Sequence, residues 1–150
     1  MTEKIDETDE RIIEELKKDS RQSTADISRR TGIARMTVHE RIKRLKEKGV
    51  IRKFSVGLDH AKLGRPTTAF ILIAYEPGHK MPQRRLAEKI SKLSGVYAVH
   101  IITGEWDILV KARAASIEEI GKLVVNKIRE LEGAYKAFTL ACFDTVTEEP

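Results

Sequence analysis

The chain has 150 residues, 41% of them hydrophobic and 34% charged, with a formal net charge of +5. That composition excludes a disordered chain and leaves room for one ordinary domain or two small ones. A single cysteine, Cys142, excludes an internal disulfide framework, and no apolar run reaches the ~20 residues needed to span a bilayer. Residues 1–9 are polar and acidic with no apolar secretory stretch, so a cytoplasmic protein is expected. Gln22, Gln83 and Asn126 are its only side-chain amides, a scarcity common in hyperthermophile proteins.

In chain order, Asp6 followed by Asp9 reads as an N-cap with an acidic N3 residue. It opens a helix running to about Lys18 with Ile5, Ile12, Ile13 and Leu16 on one face. Ser23 with Asp26 repeats the cap. The short helix behind it ends at Thr31 and Gly32, where glycine's tolerance of the left-handed conformation permits a tight turn. A third helix is expected from about Arg35 to Lys48, stopping at Gly49. Residues 50–58 read as an extended trailing strand with Ile51, Phe54 and Val56 as its larger apolar side chains. Residues 59–66, with Gly64 and Pro66, read as a hinge between a domain at 1–58 and a second at 67–150.

The second half has another rhythm. Residues 67–75 form a nearly continuous apolar strand, and Pro82 starts a helix whose stripe is Leu86, Ile90 and Leu93, closed by Gly95. Strands follow at 96–103 and 107–114, with a turn beginning at Gly104. Ser116 and Glu119 form an S-x-x-E capping box for a helix carrying Ile120, Val124, Ile128 and Leu131, ended by Gly133. Residues 134–145 are the last strand, giving βαββαβ, a split ferredoxin-like order. An internal echo, L-x-G-[VA]-Y, occurs at Leu93–Tyr97 and Leu131–Tyr135, each at a helix-to-strand junction as a doubled βαβ unit requires.

The positive charge is concentrated. Residues 32–65 hold ten Lys/Arg against Glu40, Glu47 and Asp59, residues 1–31 hold seven against nine acids, and the rest holds eleven of each sign. Such localisation suggests a polyanion partner. With Val38 at the centre of the buried face of the third helix, Ile42 and Leu45 fall beside it at about 100° per residue. Met36, Glu40 and Lys43 then lie opposite, with Thr37, His39 and Arg44 next to them. A face mixing donors and acceptors suits base edges in a major groove. Candidate groove residues are therefore Arg35, Met36, Thr37, His39, Glu40, Lys43 and Arg44. Ser23, Arg41, Lys46, Arg52 and Lys53 are candidate phosphate contacts, which orient without reading sequence. Glu40 can accept from a cytosine amino group or pair with Arg44 one turn on.

Residues 5–64 resemble the Lrp/AsnC family of feast/famine regulators. The opening I5-D6-x-x-D9 and I12-I13-x-x-L16 carry the likeness, and most specifically so does the run from Gly32 to Ile51, GIARMTVHERIKRLKEKGVI. The second half is similar to that family's RAM domain, including the turn T103-G104-E105-W106-D107. The resemblance implies an α+β protein, a winged helix-turn-helix followed by a ferredoxin-like effector and oligomerisation domain. It implies double-stranded DNA as partner, homodimers assembling to an octamer, and a small amino-acid effector bound near Ile102, Thr103, Gly104, Glu105, Trp106 and Asp107, with Tyr135 and Thr139 as weaker additions. One departure is Ala34, where the family usually has Ser or Thr as the recognition-helix cap. Independently of the resemblance, Gly104 allows a tight connection and close approach of a ligand to backbone N–H groups that suit a carboxylate, while Asp107 suits an amino group or simply satisfies the hairpin.

No nucleophile–base constellation or phosphate-cradling glycine loop is present. His39, His60, His79 and His100 are scattered without zinc spacing, and Cys142 reads as a small core residue. No catalytic residue, cofactor or metal is expected. Two other functions fit this two-domain architecture: a tetrapyrrole-acting enzyme like the sirohaem decarboxylases, and an architectural protein that wraps DNA. The basic segment with its groove-like face favours the regulator.

Overall fold

The computed structural model describes residues 5–76, 78 and 80–147; His79 lies outside them. The chain divides into two compact units, one ending at Gly57 and the other beginning at Leu58.

In the first unit the capping boxes form as the sequence dictates. Asp6 Oδ1 accepts from the Asp9 N–H at 2.8 Å and opens α1 (Glu7–Lys18), while Ser23 Oγ accepts from the Asp26 N–H at 3.1 Å and opens α2 (Thr24–Thr31). Gly32 closes α2 at φ 72°, and α3 (Arg35–Glu47) follows. Ile12, Ile27 and Val38 are completely buried where the helices meet, with Leu16, Ile33 and Ile42 packed against them.

Residues 50–58 do not form the expected strand, since all four strands among the described residues belong to the sheet of the second unit. An extended segment becomes a strand only with a partner ladder, and this one finds none within its chain. It is held at points, by Ile51 N–H on the Leu45 carbonyl (3.1 Å) and Ser20 Oγ on the Ser55 carbonyl (3.0 Å). The expected hinge is also ordered. Asp59 Oδ1 accepts from the Lys62 N–H, and Leu63 and Arg65 N–H donate to the carbonyls of Asp59 and His60, making a capped helical turn inside the second unit.

That unit contains β1 (Thr67–Tyr75), α4 (Gln83–Ser91), β2 (Val96–Ile101), β3 (Ile108–Ala114), α5 (Ile117–Leu123) continued by a π-helical turn at Val124–Ile128, and β4 (Ala134–Ala141). The sheet is antiparallel in the order β2-β3-β1-β4, the ferredoxin-like arrangement. Ala69, Ile71, Ile73, Ile108, Val110 and Ala112 bury one face of it against Leu86, Ile90, Ile120 and Ile128 of the helices. β4 ends at Ala141 and not at residue 145, because Cys142 N–H, on the Thr68 carbonyl, is the last bond that β1 can offer beside Pro66, which has no N–H. β2 likewise stops two residues short of Thr103, and β3 begins one after Asp107.

The two L-x-G-[VA]-Y copies adopt one geometry. Gly95 and Gly133 have φ of 88° and 91°, and each following residue donates to the leucine carbonyl at 3.1 Å. The Gly95 carbonyl accepts from Arg113 at the end of β3, and the Gly133 carbonyl from Glu76 just past the end of β1. The doubled unit read from sequence is therefore a structural repeat.

Candidate nucleic-acid interface and ligand turn

The outer face of α3 is set by what its inner face buries. Val38 and Leu45 are at most 1% exposed, which turns Arg35, Met36, His39, Glu40 and Lys43 outward into solvent and leaves Thr37 half-buried. Met36 is 68% exposed in the middle of this otherwise polar face.

Arg41 and Arg44 lie elsewhere. Both turn toward α1, where Asp9 is fully buried. Arg44 Nη2 donates to Asp9 Oδ2 at 2.6 Å, and Arg41 Nη1 donates to Asp9 Oδ1 at 3.2 Å and also to Asp6. The expected alternative pair, Glu40 with Arg44, is not made; Arg44 is already taken. The Arg41 guanidinium and the Asp9 N–H hold the Asp6 carboxyl below its usual range. Asp9 shares the stripe of Ile12 and Leu16, so a carboxylate on the core side of α1 was the sequence signal that two basic residues of α3 would be claimed.

Ser23 Oγ is engaged as the α2 cap and donates to Asp26 Oδ2 at 2.5 Å. Lys46 Nζ lies 5.7 Å from the Phe54 ring centroid, and Arg52 and Lys53 are exposed on the segment after α3. Arg35 Nε reaches Thr24 Oγ1 at 3.4 Å. Ala34 caps α3 with no side-chain hydrogen bond, as its methyl group requires.

The turn between β2 and β3 is closed by Ile102 N–H on the Asp107 carbonyl at 2.9 Å, with Gly104 at φ 124° and Thr103, Gly104 and Glu105 exposed. Asp107 ties the turn to β1: its N–H donates to Ile73 O at 3.0 Å and its Oδ2 accepts from Tyr75 N–H at 2.8 Å. Gln83 of α4 donates to the Asp107 carbonyl at 3.2 Å. Trp106 stacks on Phe138 with centroids 6.1 Å apart, and Lys136 Nζ lies 5.3 Å from the Trp106 ring. Tyr135 occupies the β-bulge beside Tyr75 at this same end of the sheet and is 69% exposed. Thr139 is not part of the group. It stands opposite Ile71, on the other face from Phe138, which stands opposite Leu72. Lys136 and Phe138 are the residues that sequence reasoning missed; only the β1–β4 register brings them to Trp106.

No helix among the described residues is long and apolar enough to cross a membrane. The profile of winged helix-turn-helix DNA-binding domains matches residues 5–52, and that of the Lrp/AsnC ligand binding domain matches residues 68–150. An uncharacterised HTH-type transcriptional regulator of Pyrococcus furiosus is 50% identical over 149 residues, 99% of each chain. Among solved structures, LrpC of B. subtilis is similar with a TM-score of 0.85 at 27% identity, covering 97% of this chain and 99% of its own. A transcriptional regulator of Neisseria meningitidis, solved as an L-Met complex, has a TM-score of 0.88 at 21% identity, covering 97% and 94%.

Proposed function

Because this chain belongs to the Lrp/AsnC family of DNA-binding transcription regulators, we propose that it is a cytoplasmic, sequence-specific regulator whose assembly or DNA affinity is tuned by a small amino acid. The relatives are transcription regulators, not enzymes. The observation that carries sequence reading is the outward set Arg35, Met36, His39, Glu40 and Lys43 on a helix pinned from behind by Val38, Leu45 and the Asp9–arginine pairs. Lysine and arginine there suit guanine, Glu40 suits a cytosine amino group, and Met36 suits a thymine methyl. Arg41 and Arg44 brace the helix; Lys46, Arg52 and Lys53 contact phosphates.

A dimer supplies the second half-site. The sheet face without helices carries Phe138 and Leu140, 50% and 43% exposed, opposite Leu72 and Phe70 of β1. A second copy fits it through a two-fold, self-complementary contact, and four such dimers make an octamer. Half-sites then lie about 34–36 Å apart on a pseudo-palindrome. Mobility-shift titration against a selected operator and its scrambled version tests this reading, and equal affinity for both sinks it.

For the effector, backbone N–H groups near Gly104 take the carboxylate and Asp107 takes the ammonium group, with Trp106 and Phe138 as apolar walls. The L-methionine bound by the Neisseria meningitidis regulator supports an amino acid as ligand class. Thermal-shift screening across the common amino acids identifies it. Asp107→Asn is the discriminating variant, since its amide oxygen still accepts from Tyr75 N–H while the charge is gone. Unchanged resting Tm with loss of the ligand-induced shift is expected; a retained shift removes Asp107 from the site.

A further inference from the structure

The repeat geometry leads to a second end of the sheet. Tyr135, after Gly133, stands at the ligand-turn end, and its counterpart Tyr97, after Gly95, stands at the start of β2, at the opposite end. There the second unit has a cleft of about 530 Å³ between Leu63–Arg65, the Ser94–Gly95 turn, the end of β3 and α5 with its π-helical turn. Its volume falls in the range of small-molecule sites.

The cleft is lined by Arg65, Arg113, Lys122 and Lys127 and by the carboxylate of Glu119, whose Oε2 accepts from Ala115 N–H at 3.1 Å, while Lys122 Nζ pairs with Glu118 at 2.9 Å. Tyr97 organises two of these cations: Arg65 Nη1 donates to its hydroxyl at 2.8 Å, and the Arg113 guanidinium sits 5.7 Å from its ring centroid. Arg113 is only 8% exposed, so its charge acts in a setting less screened than bulk water. The π-helical turn, a rare irregularity often found at functional sites, brings Asn126 and Lys127 to the wall. The crowding of positive charge is felt by its neighbours. Burial, then Arg113, Arg65 and Lys111, push the His60 imidazole below its usual range, and burial and Arg113 lower Lys111.

The geometry points to a second ligand site in this cleft, for a small polyanion carrying either a phosphate group or several carboxylates. Neither the α3 face nor the Ile102–Asp107 turn contributes to it. Leu63, Gly64 and Arg65 belong to the capped turn that precedes β1, so an occupant bridges that turn to α5 within the second unit.

Isothermal titration calorimetry on the full chain with inorganic pyrophosphate and, separately, citrate tests the site, with glycine as a zwitterionic control. Saturable binding of one polyanion per chain is expected, and the tighter of the two probes assigns phosphate or polycarboxylate chemistry. Arg65→Gln with Lys127→Gln, both at exposed positions that leave the core intact, should weaken it on the order of tenfold or more. Lys43→Gln and Asp107→Asn should leave it unchanged. Absence of heat with either probe at millimolar concentration overturns the site. So does equal weakening by Lys43→Gln, which would place the anion on α3. Loss of DNA affinity in the Arg65/Lys127 variant without polyanion binding would overturn it too, making the cleft a backbone-contact surface.

Discussion

At Asp9 a carboxylate is removed from water and compensated by two guanidinium groups, and this decides which cations of α3 remain for DNA. Losing its charge-assisted bonds should cost about 2–3 kcal/mol in Asp9→Ala, measured as a drop in urea midpoint. Glu40→Ala should stay within about 0.5 kcal/mol, since an exposed side chain with no structural partner contributes little. A Glu40→Ala cost equal to that of Asp9→Ala would mean that Arg44 depends on Glu40 after all. Ala34 is the converse case, a position where a bond is missing. A hydroxyl there can accept from the Thr37 N–H, so Ala34→Ser should stabilise the first unit by about 1 kcal/mol. An unchanged melting temperature would show that the α3 start is already satisfied by other means.

At the scale of elements, glycines in the same left-handed region do different work depending on what surrounds them. A Cβ on Gly32 meets nothing within 4 Å, so Gly32→Ala should cost only the left-handed conformation, about 1–2 kcal/mol. A Cβ on Gly95 would stand 3.0 Å from the carbonyl of Arg113, a residue whose N–H is hydrogen-bonded to the Gly95 carbonyl, so Gly95→Ala should cost clearly more. Chemical denaturation of both variants ranks them; the reverse order would show that β3 yields at no cost. Local chemistry of this kind was legible in the sequence. The caps at Asp6 and Ser23, the stop at Gly32 and the two Gly-Tyr junctions depend on residues at most four apart. Features that depend on distant partners were not. The strand expected at 50–58 lacked a mate, and Asp59 turned an apparent hinge into a capped turn. Arg41 and Arg44 were captured by acids 32 to 35 residues earlier, and Phe138 reached Trp106 only through strand register.

Across the whole molecule the positive surplus is confined to residues 32–65, but it is not all available to a duplex. Arg41 is neutralised locally by Asp6 and Asp9, whereas Lys43 stands exposed on the outer face with only a 3.9 Å approach to Glu47. Each phosphate neutralised on binding releases condensed counterions, so the slope of log K against log salt counts the cations that reach the backbone. Lys43→Gln should therefore reduce that slope by about 1 if Lys43 meets a phosphate, and should relax base preference at one position with little slope change if it reads an edge. Arg41→Gln should alter the slope little and instead lower stability, because its charge is spent on α1. Lys127→Gln, in the second unit, should leave it unchanged. A titration series between low and physiological salt separates these outcomes. If Arg41→Gln removed as much slope as Lys43→Gln, the bound form would have to release Arg41 from its two carboxylates, and the brace behind α3 would be a switch instead of a fixed support.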